Sequence, residues 1–190
     1  SSGGSFKKAI FTLTKNLERL FAQEEELSLN GGISMEQIYG KIDGDSATLA
    51  SFLALMSELS DCPIDQEIAV TGSMNQKGKV QPIGGANEKI EGFYNICKEK
   101  GLTGNQGVII PFTNEKNLML NDEVMESINN GEFHVYSVIK PEEAIEIIMG
   151  KKAYEYDEEG KMLFSEGTVY HKVNNRIKEY NKDTEGKKKE

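Results

Sequence analysis

The stretch IAVTGSMNQKGKVQPIGGANEKIEGFYNICKEKGLTGNQGVIIP, residues 68–111, decides the fold class. It opens on a short apolar run, Ile68-Ala69-Val70-Thr71, which reads as a buried strand. Lys77-Gly78 marks a tight turn into a second strand over 79–83, and Gly84-Gly85 breaks the chain. The spacing then predicts a helix over 87–100, with Ile90, Phe93, Tyr94 and Cys97 on one face and Gly101 as its stop. Gly107-Val108-Ile109-Ile110-Pro111 carries no polar side chain and reads as a short, fully apolar strand.

The same alternation continues outward. Downstream, a helix is expected over 122–128, a strand over 133–138 and a helix over 141–149, with Pro141 at a favoured first-turn position. Upstream, Ile10, Leu13, Leu17, Leu20 and Phe21 follow helical spacing across residues 6–21. Asn30-Gly31-Gly32 is a turn signal, a short extended stretch is expected over 33–39, and 41–45 form a polar connection. A helix over 46–59 presents Leu49, Phe52, Leu53, Met56 and Leu59, with small Ala47, Ala50 and Ser51 near its start. Strands interleaved with helices give an α/β protein of α+β type, mixed sheets packed with helices. Residues 1–5 are small and polar and read as a possible linker, 6–150 as the domain, and 151–190 as an extension. Within that extension 151–166 is polar, Val169, Val173, Ile177 and Tyr180 follow helical spacing, and 182–190 is a charged tail expected to fray.

Composition removes several function classes. A chain of 190 residues falls within the range of one domain and can bury most of its apolar surface without disulfides or metals. Lys plus Arg number 22 against 31 Asp plus Glu, and the net charge of −9 argues against a nucleic-acid partner. No apolar run is long enough for a membrane-spanning helix, so no membrane partner is expected. Cys62 and Cys97 form no CxxC pair and read as buried thiols, and the start shows no signal-peptide pattern, so a reducing cytoplasm is the expected compartment. His134 and His171 are too few for a His-rich metal site, and no resident metal is expected.

Two local patterns could carry chemistry. Asp43-Gly44-Asp45-Ser46-Ala47 places a hydroxyl where a glycine-containing loop enters a small-residue helix, whose first N–H groups could hold an oxyanion. The same residues also fit an ordinary N-cap, and they lack the second glycine of a GxSxG elbow. Asp43 and Asp45 could equally be solvated loop carboxylates. A serine nucleophile needs a base, and nothing around His134 or His171 marks either as one. A lysine can serve only if it sheds its proton near neutral pH, which needs a pKa lowered by roughly 2 to 3 units. Lys89 follows Gly84-Gly85 in the first turn of a helix, where the dipole disfavours a cation; it is also compatible with a solvated surface lysine. Gly84-Gly85 belongs to neither GxxxxGK[ST] nor GxGxxG, so a nucleotide-binding reading is poor.

Taken together, Asp43-Gly44-Asp45-Ser46-Ala47 and Gly84-Gly85-Ala86-Asn87-Glu88-Lys89 closely resemble the catalytic segments of the Lon family of ATP-dependent proteases, an xDGxSA serine followed by a GGxxEK lysine. Ser46 and Lys89 are 43 positions apart, matching the family's separation. Val70-Thr71-Gly72-Ser73 resembles the family's TGx segment, residues 79–83 its strand into GG, and 107–111 the strand after the lysine helix. Met35-Glu36-Gln37-Ile38-Tyr39-Gly40 is similar to the EQxY stretch of the archaeal-type and related bacterial branch, and not to the HxHxPxG of the common bacterial form.

The resemblance implies the Lon proteolytic-domain fold and a Ser–Lys dyad, with Ser46 as nucleophile and Lys89 as general base. Thr71 matches the threonine that orients the lysine, and Asp43 an aspartate near the dyad. The backbone N–H groups of Asp45 and Ser46 are the expected oxyanion donors. It further implies a serine endopeptidase acting on unfolded polypeptides, a homo-hexamer, and a partner AAA+ ATPase module on which ATP and Mg²⁺ act. These 190 residues hold no Walker motif and so no cofactor site of that kind. The competing expectations are a non-catalytic ring-forming or inactive fragment, and an amidase acting on small amides.

Overall fold

A computed structural model describes residues 2–21 and 47–189. The turn at 30–32, the extended stretch at 33–39, and Asp43, Asp45 and Ser46 lie outside the described residues. The elements are α1 (Ser2–Phe21), α2 (Thr48–Ser60), β1 (Ile68–Val70), β2 (Ser73–Met74), β3 (Val80–Gln81), α3 (Ala86–Lys100) and β4 (Gly107–Pro111). They continue with α4 (Phe112–Glu115), α5 (Asp122–Asn129), β5 (His134–Val138), α6 (Pro141–Met149), β6 (Glu155–Tyr156), β7 (Met162–Leu163) and α7 (Val169–Lys187).

The central sheet has the order β1-β4-β5, with both pairings parallel. Its middle strand β4 pairs Ile109 with Val70 on one side and with Tyr136 on the other. Because side chains alternate along a strand, Ile109 enters one core and its neighbours Val108 and Ile110 the other. On the Val108 side, α3 contributes Ile90, Tyr94 and Cys97, α5 contributes Val124, and Phe133 fills the space between. Tyr94 meets Phe133 edge to face at 5.2 Å, and its hydroxyl lies 2.7 Å from Ser127 Oγ. On the Ile109 side lie α1, α2, α6 and α7, with Phe52, Leu53 and Met56 of α2 at the centre. The result is a sheet between two helical layers, the arrangement an all-apolar central strand requires.

Across 68–149 each expected helix and strand is present, β2 and the short α4 are additional to the reading, and all five stripe residues of α2 are buried. Further differences sit at the ends. Helix α1 extends back to Ser2, through the residues set aside as a possible linker. The charged tail expected to fray is helical as far as Lys187. Val169, Tyr170, Val173 and Ile177 anchor α7 in the core beside α2, and Thr168 caps its start by accepting from the His171 N–H. The segment 151–166 contains a two-stranded hairpin, β6–β7, closed by Asp157, which accepts from the N–H groups of Glu159 and Lys161. The extension therefore shares the domain's core through Ala153 and α7.

Cys62 and Cys97 are both free and buried, and burial pushes the Cys97 thiol up from its ordinary pKa. Native protein at pH 8 should therefore leave both thiols unreacted toward a disulfide reagent, and denaturant should expose two; fast reaction of either in the native state contradicts the packing. Phe133→Ala should cost about 3–5 kcal/mol in a urea unfolding experiment, because the cavity opens between β4 and two helices.

Candidate active site

The segments carrying Thr71 and Lys89 meet the start of α2 at the carboxyl end of the parallel sheet. Thr71 immediately follows β1 and is buried, and its N–H donates to the Ile109 carbonyl at 2.9 Å. The next residue, Gly72, has φ +147°, and a Cβ there would sit 3.1 Å from Pro111 Cγ and 3.3 Å from Leu49 Cδ2. Only glycine fits this crossing without displacing a neighbour. The Gly72 carbonyl accepts from the Leu49 N–H at 3.2 Å, which ties the first turn of α2 to the end of β1.

Hairpin β2–β3 brings in the third segment. Ser73 pairs with Gln81 in antiparallel register, so Thr71-Gly72 entering the hairpin and Pro82-Ile83 leaving it lie at the same end. Gly85 takes the left-handed conformation at φ +74° and is the N-cap residue of α3. The Lys89 N–H donates to the Gly85 carbonyl at 3.0 Å, so Lys89 stands in the first turn of that helix. Its side chain is exposed.

Asp43, Asp45 and Ser46 are outside the described residues, and the described chain resumes at Ala47. The N-cap position of α2 falls at Ala47, not at Ser46, and an alanine side chain cannot cap. The N-cap reading of Ser46 concerns a residue outside the described ones, while the start of α2 is tied to Gly72.

Sequence reasoning missed the residue that holds the lysine segment in place. Asn114, buried in α4, makes two reciprocal bonds to one backbone unit: the Ile83 N–H donates to Asn114 Oδ1 at 3.0 Å, and Asn114 Nδ2 donates to the Ile83 carbonyl at 2.8 Å. Ile83 immediately precedes Gly84-Gly85, so this pair fixes the backbone entering the lysine turn. Two further bonds fasten α3 to the same connection: the Met119 N–H donates to Asn87 Oδ1 and the Asn121 N–H to Glu91 Oε1, each at 2.9 Å. The available signal was weak, an Asn three residues after a strand-ending Pro111. Its partners are 31 positions away, beyond any local pattern.

With that geometry in view, comparison with known proteins decides the family. The Lon protease (S16) C-terminal proteolytic domain matches residues 24–161, most of the chain. The chain belongs to this family. It is 43% identical over 150 residues to a putative Lon protease homolog of Haemophilus influenzae, an alignment covering 79% of this chain and 25% of that protein. It is 43% identical over 126 residues to a putative Lon protease homolog of Escherichia coli, covering 66% of this chain and 22% of that one. It is 40% identical over 121 residues to an archaeal Lon protease of Methanocaldococcus jannaschii, covering 58% and 18%. The Lon-type domain described here thus spans about a quarter of the length of the first two relatives or less.

Asn114→Ala in this Lon-type domain should lower stability by about 1–3 kcal/mol, because it leaves the Ile83 N–H and carbonyl without their partner. Asn114→Asp keeps the acceptor and loses the donor, and its cost should be intermediate. Chemical unfolding of the three proteins checks the order, and an Asn114→Ala protein as stable as wild type contradicts the clamp.

Proposed function

We propose that this Lon-type domain is a serine endopeptidase whose dyad is Ser46 and Lys89. The observation that carries the reading is the convergence, at one end of the sheet, of the α2 start that follows Ser46, the Thr71-Gly72 crossing, and the Gly84–Lys89 turn. Ligand sites of parallel sheets favour that end, and family membership supports the roles.

The neutral Lys89 amine takes the Ser46 hydroxyl proton as Oγ bonds to a peptide carbonyl carbon. The charge developing on the carbonyl oxygen is held by the backbone N–H groups of Asp45 and Ser46. Lysine then passes the proton to the departing amine as the C–N bond breaks, leaving an acyl-serine. A water, deprotonated by the same amine, cleaves that ester and restores Ser46. Thr71 orients the lysine, and Asp43 lies near the dyad. The exposed Lys89 side chain must lose water to work as a base, and a polypeptide laid across it supplies that exclusion.

The substrates in this reading are unfolded polypeptides in the cytoplasm, fed by an AAA+ ATPase module that uses ATP and Mg²⁺, and the working assembly is a homo-hexameric ring. The exposure of Lys89 also favours a second reading, a ring-forming domain without catalysis.

Hydrolysis of a quenched, unstructured peptide between pH 7 and 9.5 separates the two. The dyad predicts cleavage that rises with pH in the wild type and falls at least about 10³-fold in both Ser46→Ala and Lys89→Ala. Thr71→Ala should lose roughly tenfold, the scale of one orienting hydrogen bond. Full activity in Lys89→Ala contradicts the dyad; a properly assembled wild type without activity favours the scaffold; cleavage confined to short amides favours an amidase.

A further inference from the structure

At the closed end of the β2–β3 hairpin, opposite Thr71 and Gly84, lies a pocket of about 380 Å³. Arg19 of α1, Lys77 and Lys79 of the hairpin turn, and Lys140 at the start of α6 line it, against one carboxylate, Glu142. In a chain with 31 acidic residues to 22 basic ones, four cations gathered from three elements run against composition. Like charges gathered on one pocket raise its potential toward an anion.

The carboxylate present is already engaged: Glu142 Oε1 accepts from the Tyr170 hydroxyl at 3.0 Å. Burial and that carboxylate push the Tyr170 hydroxyl well above its ordinary pKa, so it remains a donor to Glu142. Arg19 is fixed in place. Its Nη2 donates to Asn16 Oδ1 at 2.9 Å, while Asn16 Nδ2 donates to the Thr12 and Asn75 carbonyls at 2.8 and 3.0 Å. Asn75 also shapes the turn, its Oδ1 accepting from the N–H groups of Lys77 and Lys79. The guanidinium lies so close to the turn that a Cβ on Gly78 would be 2.1 Å from Nη2, and Gly78 has φ +77°.

Among the described residues, Arg19 Nε is buried and has no hydrogen-bond partner. A buried guanidinium N–H without an acceptor costs free energy, and the Arg19 side chain that carries it lines the pocket. A planar fork with adjacent ammonium groups suits a tetrahedral oxyanion, which offers several acceptors at once.

We propose that this pocket binds a phosphate-class oxyanion, through Arg19 with Lys77, Lys79 and Lys140. The site is independent of the dyad, and its test is a binding measurement that needs no peptidase activity. Inorganic phosphate is titrated into the protein at constant ionic strength by calorimetry, with acetate as the carboxylate control and a phosphomonoester, glycerol phosphate, as a second arm. The expected result is saturable phosphate binding, at least about tenfold tighter than acetate. A phosphomonoester that binds as well assigns an attached phosphate group; one that fails assigns the free ion. Lys79→Gln with Lys140→Gln, both exposed positions that leave the core untouched, should weaken phosphate binding at least several-fold. Arg19→Lys, which keeps the charge and loses the fork, should remove the preference over acetate. No phosphate binding up to about 10 mM, or equal binding by wild type and the double variant, overturns the site.

Discussion

Everything in this domain is arranged around β4. Its backbone is paired on both edges and its side chains are buried on both faces, so the five residues Gly107–Pro111 have no solvent-facing side. This forces a helical layer onto each side and sets the parallel neighbours β1 and β5 in register. Gly107 opens the strand because a Cβ there would lie 2.6 Å from the His134 carbonyl oxygen. Pro111 ends it against Gly72, where the missing N–H is no loss because the strand stops. The carboxyl end of β4 thereby becomes the floor on which the Thr71-Gly72 crossing, the α2 start and the Asn114-held loop are set.

The chemistry proposed for the domain depends on this end being rigid. A serine and a lysine on different elements must be brought into hydrogen-bond reach, and errors of an ångström are expensive. On the lysine side, polar pairs add to the packing of Ile90 and Tyr94 in fixing the start of α3. Asn114 holds Ile83, Asn87 holds Met119, and Glu91 holds Asn121, so the exposed turn bearing Lys89 is fixed through its backbone. In the proposed reading, this leaves the exposed face at Lys89 open for a polypeptide.

Much of this was legible in the sequence, for identifiable reasons. The α2 stripe follows helical periodicity over about three turns and the α3 face over about two, and β4 is an uninterrupted apolar run bounded by Gly and Pro. Pro141 and Gly150 bracket α6 at the positions where proline and glycine have conformational reasons to stand. The Ser46 and Lys89 motifs were visible because their spacing and flanking glycines follow a family pattern. Less legible was whatever rests on partners far apart in the chain. The α7 helix outruns its apolar spacing because four buried residues near its start anchor a charged continuation. Asn114 reads locally as a turn residue, and Arg19 as a solvated cation at a helix end. Their roles appear only when the Ile83 backbone and the Asn75–Gly78 turn are folded against them.

The central proposal is that Ser46 and Lys89 work as a pair at the carboxyl end of the sheet. A serine-reactive fluorophosphonate, followed by peptide mass spectrometry, tests it most directly, because labelling needs an activated hydroxyl and no turnover of a polypeptide. The account predicts a single adduct at Ser46, lost in Lys89→Ala and slowed in Asn114→Ala. An adduct at Ser46 that forms equally fast without Lys89, or one at a different serine, would contradict it.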